Sequence, residues 1–571
     1  MNDFNPRVQL DWNRPPRDFF FAPGVDAGLW ITAPLPKMWE KRAKGRIAAT
    51  SVSEYAKFDD AIEDHIASTF KDRLFKAGLL MRTVPVVMEN VTTEGHFLAI
   101  HGRHVLNGAA GTRLRNKYCW ANEGYFDADA QTEAYFADLR AADPVPPVWT
   151  GGTQGLDFVI DTRNAFNFYH FLSETLGQLC LVDHDDFAGR VLIHSDRPEV
   201  KPFIPAWIEQ IFPRLAGRVE ILSGSQSYDR CLSALNARQL WYQTGPRAID
   251  GLEEEAPETP FWRGRNSDRK SMLILDMNSC DDTLLALRET ALARIEGGDW
   301  SHLPRRFWVG RRSDRERPMW GEDDLTDALR ARGFEVVHME DFSPLEQVAL
   351  LSRAEIMMSY HGAAFANMLF AAPETHCIEI GTYQTARFRW RDFMPHTLAS
   401  GCRYTSLFAD FNVDDPEEGP EIRSRPLHAV RLGPEGRAKV LSYVDAILGE
   451  VRVNDDIWLA RIAACLGRTG DTAALERLLD GHPKQAMADP DLLILRANCH
   501  LDRGDDVPAR LLLERAWEAT GDRPFLLERL ILLYDRAGVK APWEELHRRK
   551  YPKRAGVRGQ KLKRQRKLAK G

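Results

Sequence analysis

Residues Glu355–Ile380 read EIMMSYHGAAFANMLFAAPETHCIEI. Glu355–Ser359 is a short apolar run of strand length. Tyr360-His361-Gly362-Ala363-Ala364 then turns into a helix that continues through Asn367, and Cys377–Ile380 is the next strand. Strand, small-residue bend, helix and strand make one unit of a parallel sheet. Small side chains at such a bend let a ligand approach the backbone. The helix start adds free N–H groups and the positive end of a dipole, which together suit a pyrophosphate. The same turn also serves as plain packing, so its neighbours decide.

Outward from this unit the alternation continues. Phe307–Val309 is a strand, Glu322–Arg332 a helix stopped by Gly333, and Phe334–Met339 a strand. Ser343-Pro344-Leu345-Glu346 combines a capping box with proline at the first helical position and opens a helix. A separate block starts at Leu156–Asp161 (LDFVID). It continues as a helix near Phe166–Val182, a strand at Val191–His194, a helix around Pro205–Phe212 and a strand at Val219–Leu222. Two such blocks predict an α/β fold with two Rossmann-like lobes facing each other across a cleft. The expected boundaries are 1–155 for an N-terminal region belonging to or packed on the first lobe, 156–300 for that lobe, and 301–450 for the second.

The strand ends carry the chemistry. Val309-Gly310-Arg311-Arg312-Ser313-Asp314-Arg315-Glu316-Arg317 sets four arginines just beyond a strand. Arginine forks grip phosphate oxygens in pairs, and Arg312 and Arg317 are the candidates here. The plainer alternative is a solvated loop with local pairs to Asp314 and Glu316. With His361 and the Gly362, Ala363 and Ala364 backbone, these arginines put two anion-friendly strand ends in one lobe. In the first block His170 and Glu174 lie four apart on one helix face and can meet. Either can serve as a general base while the other orients it, or the two form a structural pair. Asp127-Ala128-Asp129 and Asp183-His184-Asp185 have the letters of a metal-binding pair, but neither follows a strand. No metal or other cofactor is expected.

The run from Phe307 to Gly381 resembles the core of glycosyltransferase family 61. The arginine-bearing strand end, the Gln-containing helix SPLEQVALLSRA, a His-Gly-Ala-x-x-x-Asn-x-x-Phe segment and a strand carrying Glu carry the likeness. His361, Gly362, Ala363, Asn367, Phe370 and Glu379 all fit it. Asn167-Phe168-Tyr169-His170-Phe171 is similar to the family's Asn-Tyr-Tyr-His-Trp/Phe helix, with Glu174 where an acid is usual. The likeness covers residues 155–410. Ala364-Phe365-Ala366 departs from it where Gly-Leu-Thr is common, and Gly321 stands near a frequent Asn. The resemblance implies a GT-B fold, an inverting mechanism and a nucleotide-sugar donor, with a glycan or lipid-linked acceptor in surface polysaccharide synthesis. Asn367 would then lie on the donor side, and Glu379 would accept from ribose hydroxyls or cap a neighbouring helix. Two other readings share the cleft: a catalytically inert body that presents a docking module, and an epimerase that needs no glycan acceptor.

Beyond residue 450 the pattern changes. Gly470, Gly504 and Gly538 stand 34 residues apart, each after a helical run. That is the period of tetratricopeptide repeats and predicts an all-α segment over 455–546 that can dock a protein partner. A plain helical bundle with coincidental glycines is the alternative. Residues 548–571 hold twelve Lys or Arg and no acid, which leaves the rest of the chain 64 basic against 82 acidic residues, a net of −18. An acidic body excludes bulk nucleic-acid binding. The tail over 547–571 is expected to be solvated, and it suits peripheral contact with anionic lipid or, equally by charge, RNA. Eight scattered cysteines, no basic leader and no 20-residue apolar run fit a reducing, cytoplasmic setting.

Overall fold

The computed structural model describes residues 11–72, 74, 77–123, 127–142, 144–197, 199–236, 277–312, 318–450, 452–521 and 523–542. The chain divides into two compact units, residues 1–436 and 437–571.

Two parallel-cored sheets, together with a three-stranded one formed by Trp39–Arg42, Gly78–Met81 and Ser279–Asp281, build the first unit. In the second sheet, Arg46–Ser51 (β1) lies at one side of Arg306–Val309 (β7), Glu335–Val337 (β8), Ile356–Tyr360 (β9), His376–Thr382 (β10) and Arg403–Phe411 (β11), in the order β8-β7-β9-β10-β11-β1. These six strands are all parallel. In the first sheet, Thr83–Glu94 (β2), Phe158–Asp161 (β3), Val191–His194 (β4), Val219–Leu222 (β5) and Ser227–Asn236 (β6) run in the order β5-β4-β3-β6-β2. The first four of that order are parallel, and β2 runs antiparallel to β6.

Both orders reverse direction once. In the second sheet the chain goes from β7 outward to β8 and then returns to the far side at β9. In the first it goes from β3 through β4 to β5 and then returns at β6. Crevices for ligands open at the carboxyl ends of the strands that flank such a reversal. Those ends carry Gly310-Arg311 and Tyr360-His361 in one sheet and Thr162-Arg163 in the other.

Strands covered on both faces should be apolar throughout, and β9 (IMMSY) is buried at all five positions. The capping box at Ser343 forms as expected, with Ser343 Oγ accepting from the Glu346 N–H and Glu346 from the Ser343 N–H at 2.7 Å. One continuous apolar core joins the sheets, running from Ile160 and Ile193 through Leu284 and Leu287 to Phe307, Met357 and Phe370. Trp207 stacks on Phe370 at 5.6 Å within it.

Two features differ from expectation. The N-terminal region is shared between the sheets: β2 joins the first, but β1 pairs with β11 along Arg46–Ser51. The expected single helix over Phe166–Val182 is a succession of three short turns. Phe168–His170 is α-helical, Phe171–Thr175 a π turn and Leu176–Leu181 a 3-10 turn. Helix Asp282–Ile295 presses close here, since a Cβ on Gly177 would lie 2.7 Å from the Thr283 carbonyl oxygen.

The second unit is helical. Asp456–Thr469, Pro490–Asp502 and Pro524–Arg536 begin 34 residues apart, and so do their partners Thr472–Gly481 and Asp506–Thr520. Gly470, Gly504 and Gly538 all take positive φ (72°, 82° and 72°), the left-handed stop that glycine adopts at least cost. The basic tail, residues 547–571, lies outside the described residues. No described helix is long and apolar enough to cross a membrane. All eight cysteines are free thiols.

Asp161 closes β3 in complete burial, and that burial pushes its carboxyl up to about 7. Between about 4 and 7 the folded chain holds a proton there that the unfolded chain has released, so stability falls as pH rises through that window. Asp161→Asn should therefore raise the melting temperature, by a gain that grows from pH 5 to pH 8; a gain independent of pH would contradict the assignment.

Candidate active site

The sheet register assembles the first half of the site. Ser359, Glu379 and Ser406 are lateral neighbours on β9, β10 and β11, so their side chains share one face. Glu379 has no solvent exposure, and a buried carboxylate is tolerable only when its oxygens are bonded. His361 Nδ1 lies 2.6 Å from one oxygen; the other accepts from Tyr404 Oη and from Ser406 Oγ at 3.1 Å. Burial and the same carboxylate push the Tyr404 phenol well above its ordinary range, so it stays a donor. His361 is thereby fixed with its ring edge at the mouth of the bend, 12 % exposed.

Arg311 completes this half. Its guanidinium donates to the His361 carbonyl at 2.5 Å and lies 4.2 Å over the Tyr360 ring. A Cβ on Gly362 would overlap that guanidinium, so only glycine admits the contact unshifted. The helix expected after the bend is present over Ala363–Phe370 as a 3-10 helix.

The second half hangs on the end of β3. Arg163 reaches His170 Nδ1 at 2.8 Å and Glu174 Oε1 at 2.5 Å, and His170 Nδ1 is 3.0 Å from the same Glu174 oxygen. Glu174 is the deeper of the pair, at 8 % exposure against 22 % for His170. Arg113, on helix Gly108–Ala121, donates to the Arg163 carbonyl at 2.5 Å and holds that arginine in turn.

Phe393 bridges the halves. Its ring is 5.4 Å from His361 and 5.6 Å from Tyr169, the residue before His170. Tyr169 donates to the Asp392 carbonyl at 2.6 Å, and Ser173 pairs with His396 Nε2 at 2.8 Å. The carboxyl ends of the two sheets therefore meet around residues 392–396.

The expected residues fall out as follows. His361, Gly362, Ala363 and Ala364 line the half-buried bend, while His170 and Glu174 form a bonded pair. Arg312 turns outward to an exposed pair with Asp341, and Arg317 lies outside the described residues. The arginine at the bend is Arg311. Asn367 is fully buried and donates to the Ala364 carbonyl at 3.3 Å, so it braces the turn from beneath. Glu379 likewise sits under His361, with its oxygens engaged inside the sheet, rather than offering them to a ribose. Asp129 pairs with Arg115 and Asp185 with Arg214. Arg163 went unmarked and Arg311 was passed over for Arg312 and Arg317, although each stands two residues past a strand end beside a reversal of strand order, where position alone would have found them.

The model of the family described as Glycosyltransferase 61 matches residues 168–378. That span begins at the turn bearing His170 and ends one residue before Glu379, so it contains most of both halves. Residues 168–378 are similar to that family, and the likeness suggests a glycosyltransferase. No match was found among curated proteins.

Glu379→Gln keeps the volume but removes the charge that its three donors share. It should cost about 1–3 kcal/mol of unfolding free energy, read from urea denaturation. An unchanged midpoint would contradict the buried network.

Proposed function

We propose that this chain transfers a sugar, with inversion, from a nucleotide-sugar donor to a hydroxyl of a glycan or lipid-linked acceptor, in surface polysaccharide synthesis. The observation that carries the proposal is the meeting of two unlike strand-end sites around Phe393, just beyond the span 168–378 that the glycosyltransferase 61 model matches. One is rich in anion-seeking groups and the other holds a bonded His–Glu pair. In this reading the two sheets are the lobes of a GT-B arrangement, with the donor held by the second.

The donor diphosphate lies against Arg311, the exposed edge of His361 and the N–H groups that open the Ala363 turn. Negative charge that develops on the leaving diphosphate is met by donors already in place, which is where catalysis gains most. We assign that neutralisation to Arg311 and the backbone rather than to a metal ion. On the other side His170, the more exposed of the pair, takes the acceptor proton through its Nε2. Glu174 holds the ring through Nδ1 and stabilises the charge it gains. Arg163 holds Glu174 in line at 2.5 Å. The acceptor oxygen then attacks the face of the sugar opposite the diphosphate, which gives inversion.

The helical unit is proposed as a tetratricopeptide-like docking module. The basic tail would draw the enzyme to the anionic inner face of a membrane, where a lipid-linked acceptor resides.

Two measurements test the reading. A thermal-shift screen of nucleoside diphosphates should find stabilisation by uridine diphosphate or a similar compound, lost in His361→Ala; no shift by any nucleotide would defeat it. His170→Ala and Glu174→Ala should retain nucleotide binding and lose transfer by about 100-fold or more, the usual worth of a general base. Normal turnover in both would remove the base from this pair. A non-catalytic scaffold would release no nucleoside diphosphate even with donor and acceptor supplied.

A further inference from the structure

The turn that bears the proposed base is gripped from the donor side. Tyr169 and Ser173 lie four residues apart on it, and His170 and Glu174 each follow by one position. The two pairs therefore occupy neighbouring faces of the same turn. The first pair reaches a segment with the same spacing: Tyr169 Oη donates to the Asp392 carbonyl at 2.6 Å, and Ser173 Oγ lies 2.8 Å from His396 Nε2. The Tyr169 ring packs between these bonds, 5.6 Å from both Phe393 and His396. Each bond spans 223 positions of the chain, so together they fix a distance that chain connectivity leaves free.

The gripped segment is itself packed on the donor bend. Phe393 sets its ring 5.4 Å from His361 and 5.3 Å from Phe365, which lies in the 3-10 helix that opens at Ala363. His396 follows on helix Met394–Ser400, 1 % exposed, and its carbonyl accepts from Ser400 Oγ at 2.8 Å. A histidine at that depth is tolerable only when its ring nitrogens are bonded, so releasing Ser173 strips a buried group of a partner. The contact is therefore held from both ends.

We infer that Tyr169, Ser173 and His396 are positioning residues, a latch that sets the distance and angle between the His170–Glu174 pair and a donor held at the Gly362 bend. They act through His170 and Glu174, without touching a reacting atom. The inference rests on the transferase reading above and adds what makes its two halves act together. Attack opposite the leaving group needs the base and the donor in one fixed relation, and misplacement by about 1 Å costs up to about 100-fold in rate. The donor half keeps its own support, because Arg311 and Glu379 both hold His361 from the second sheet. Loosening the latch therefore spares nucleotide binding and slows the chemical step.

The test uses the full chain and two variants. Tyr169→Phe/Ser173→Ala deletes only the two gripping oxygens, and His396→Gln offers an amide in place of Nε2 toward Ser173. Turnover is read as release of uridine diphosphate from UDP-glucose, UDP-galactose, UDP-N-acetylglucosamine and UDP-glucuronate, with water as the acceptor. For a donor that the wild type turns over, the double variant should lose about 10- to 100-fold in kcat at an unchanged KM. His396→Gln should keep most of the wild-type kcat. A wild-type kcat in the double variant overturns the inference, and so does a rise in KM that accounts for the whole loss. Hydrogen exchange on the same proteins needs no substrate. The amides of 168–176 and 392–400 should exchange faster in the double variant and at the wild-type rate in His396→Gln. Should the wild type turn over none of these donors, that result counts against the transferase reading, and exchange decides the latch by itself: unchanged protection of both segments in the double variant removes it.

Discussion

Glu379 is a carboxylate with no access to solvent, in the middle of a parallel sheet, and much of the candidate site follows from satisfying it. Only groups already inside the fold can bond its oxygens, and the register of three adjacent strands delivers them: His361 from the end of β9, and Tyr404 and Ser406 from β11. The price of burying that charge is a fixed histidine. Once His361 is fixed, its carbonyl is fixed too, and that carbonyl receives Arg311. A ligand meeting this bend meets groups that need no rearrangement, which is the condition for electrostatic stabilisation to act on a transition state.

The second half obeys the same logic with a different answer. Glu174 is also nearly buried, but its partners are Arg163 and His170 rather than neutral hydroxyls. The π turn at Phe171–Thr175 follows His170 and itself carries Glu174, and wider turns of this kind recur where a helix must aim side chains at a site. Phe393 and Tyr169 then tie the halves into one cleft.

What the sequence disclosed, it disclosed locally. The strands of both blocks, the capping box at Ser343 and the 34-residue period all depend on neighbours within a few turns, and all are present. The pairing of β1 with β11 joins residues more than 350 positions apart, and no local pattern records it. Side-chain direction was hidden in the same way. Arg311 and Arg312 are adjacent and chemically identical, but the one nearer the strand end folds over Tyr360 while the next turns out to Asp341. Glu379 was legible as a conspicuous acid on a strand; that its oxygens would be spent on Tyr404 and Ser406 depends on register, which appears only when the sheet is assembled. The His170–Glu174 contact was legible because four residues along a helix is a fixed geometry. Arg163, which binds both, comes from the strand before and was not.

The central claim is that the bend at Gly362, with Arg311 folded against it, cradles a nucleoside diphosphate. Gly362→Val tests it most directly, because the added side chain must displace the Arg311 guanidinium while the buried Glu379 network beneath is left in place. Calorimetric titration with uridine diphosphate should show binding to the wild type and a loss of at least about tenfold in the variant, the worth of one charge-assisted contact, at an unchanged melting temperature. Equal affinity in a folded variant would contradict the account.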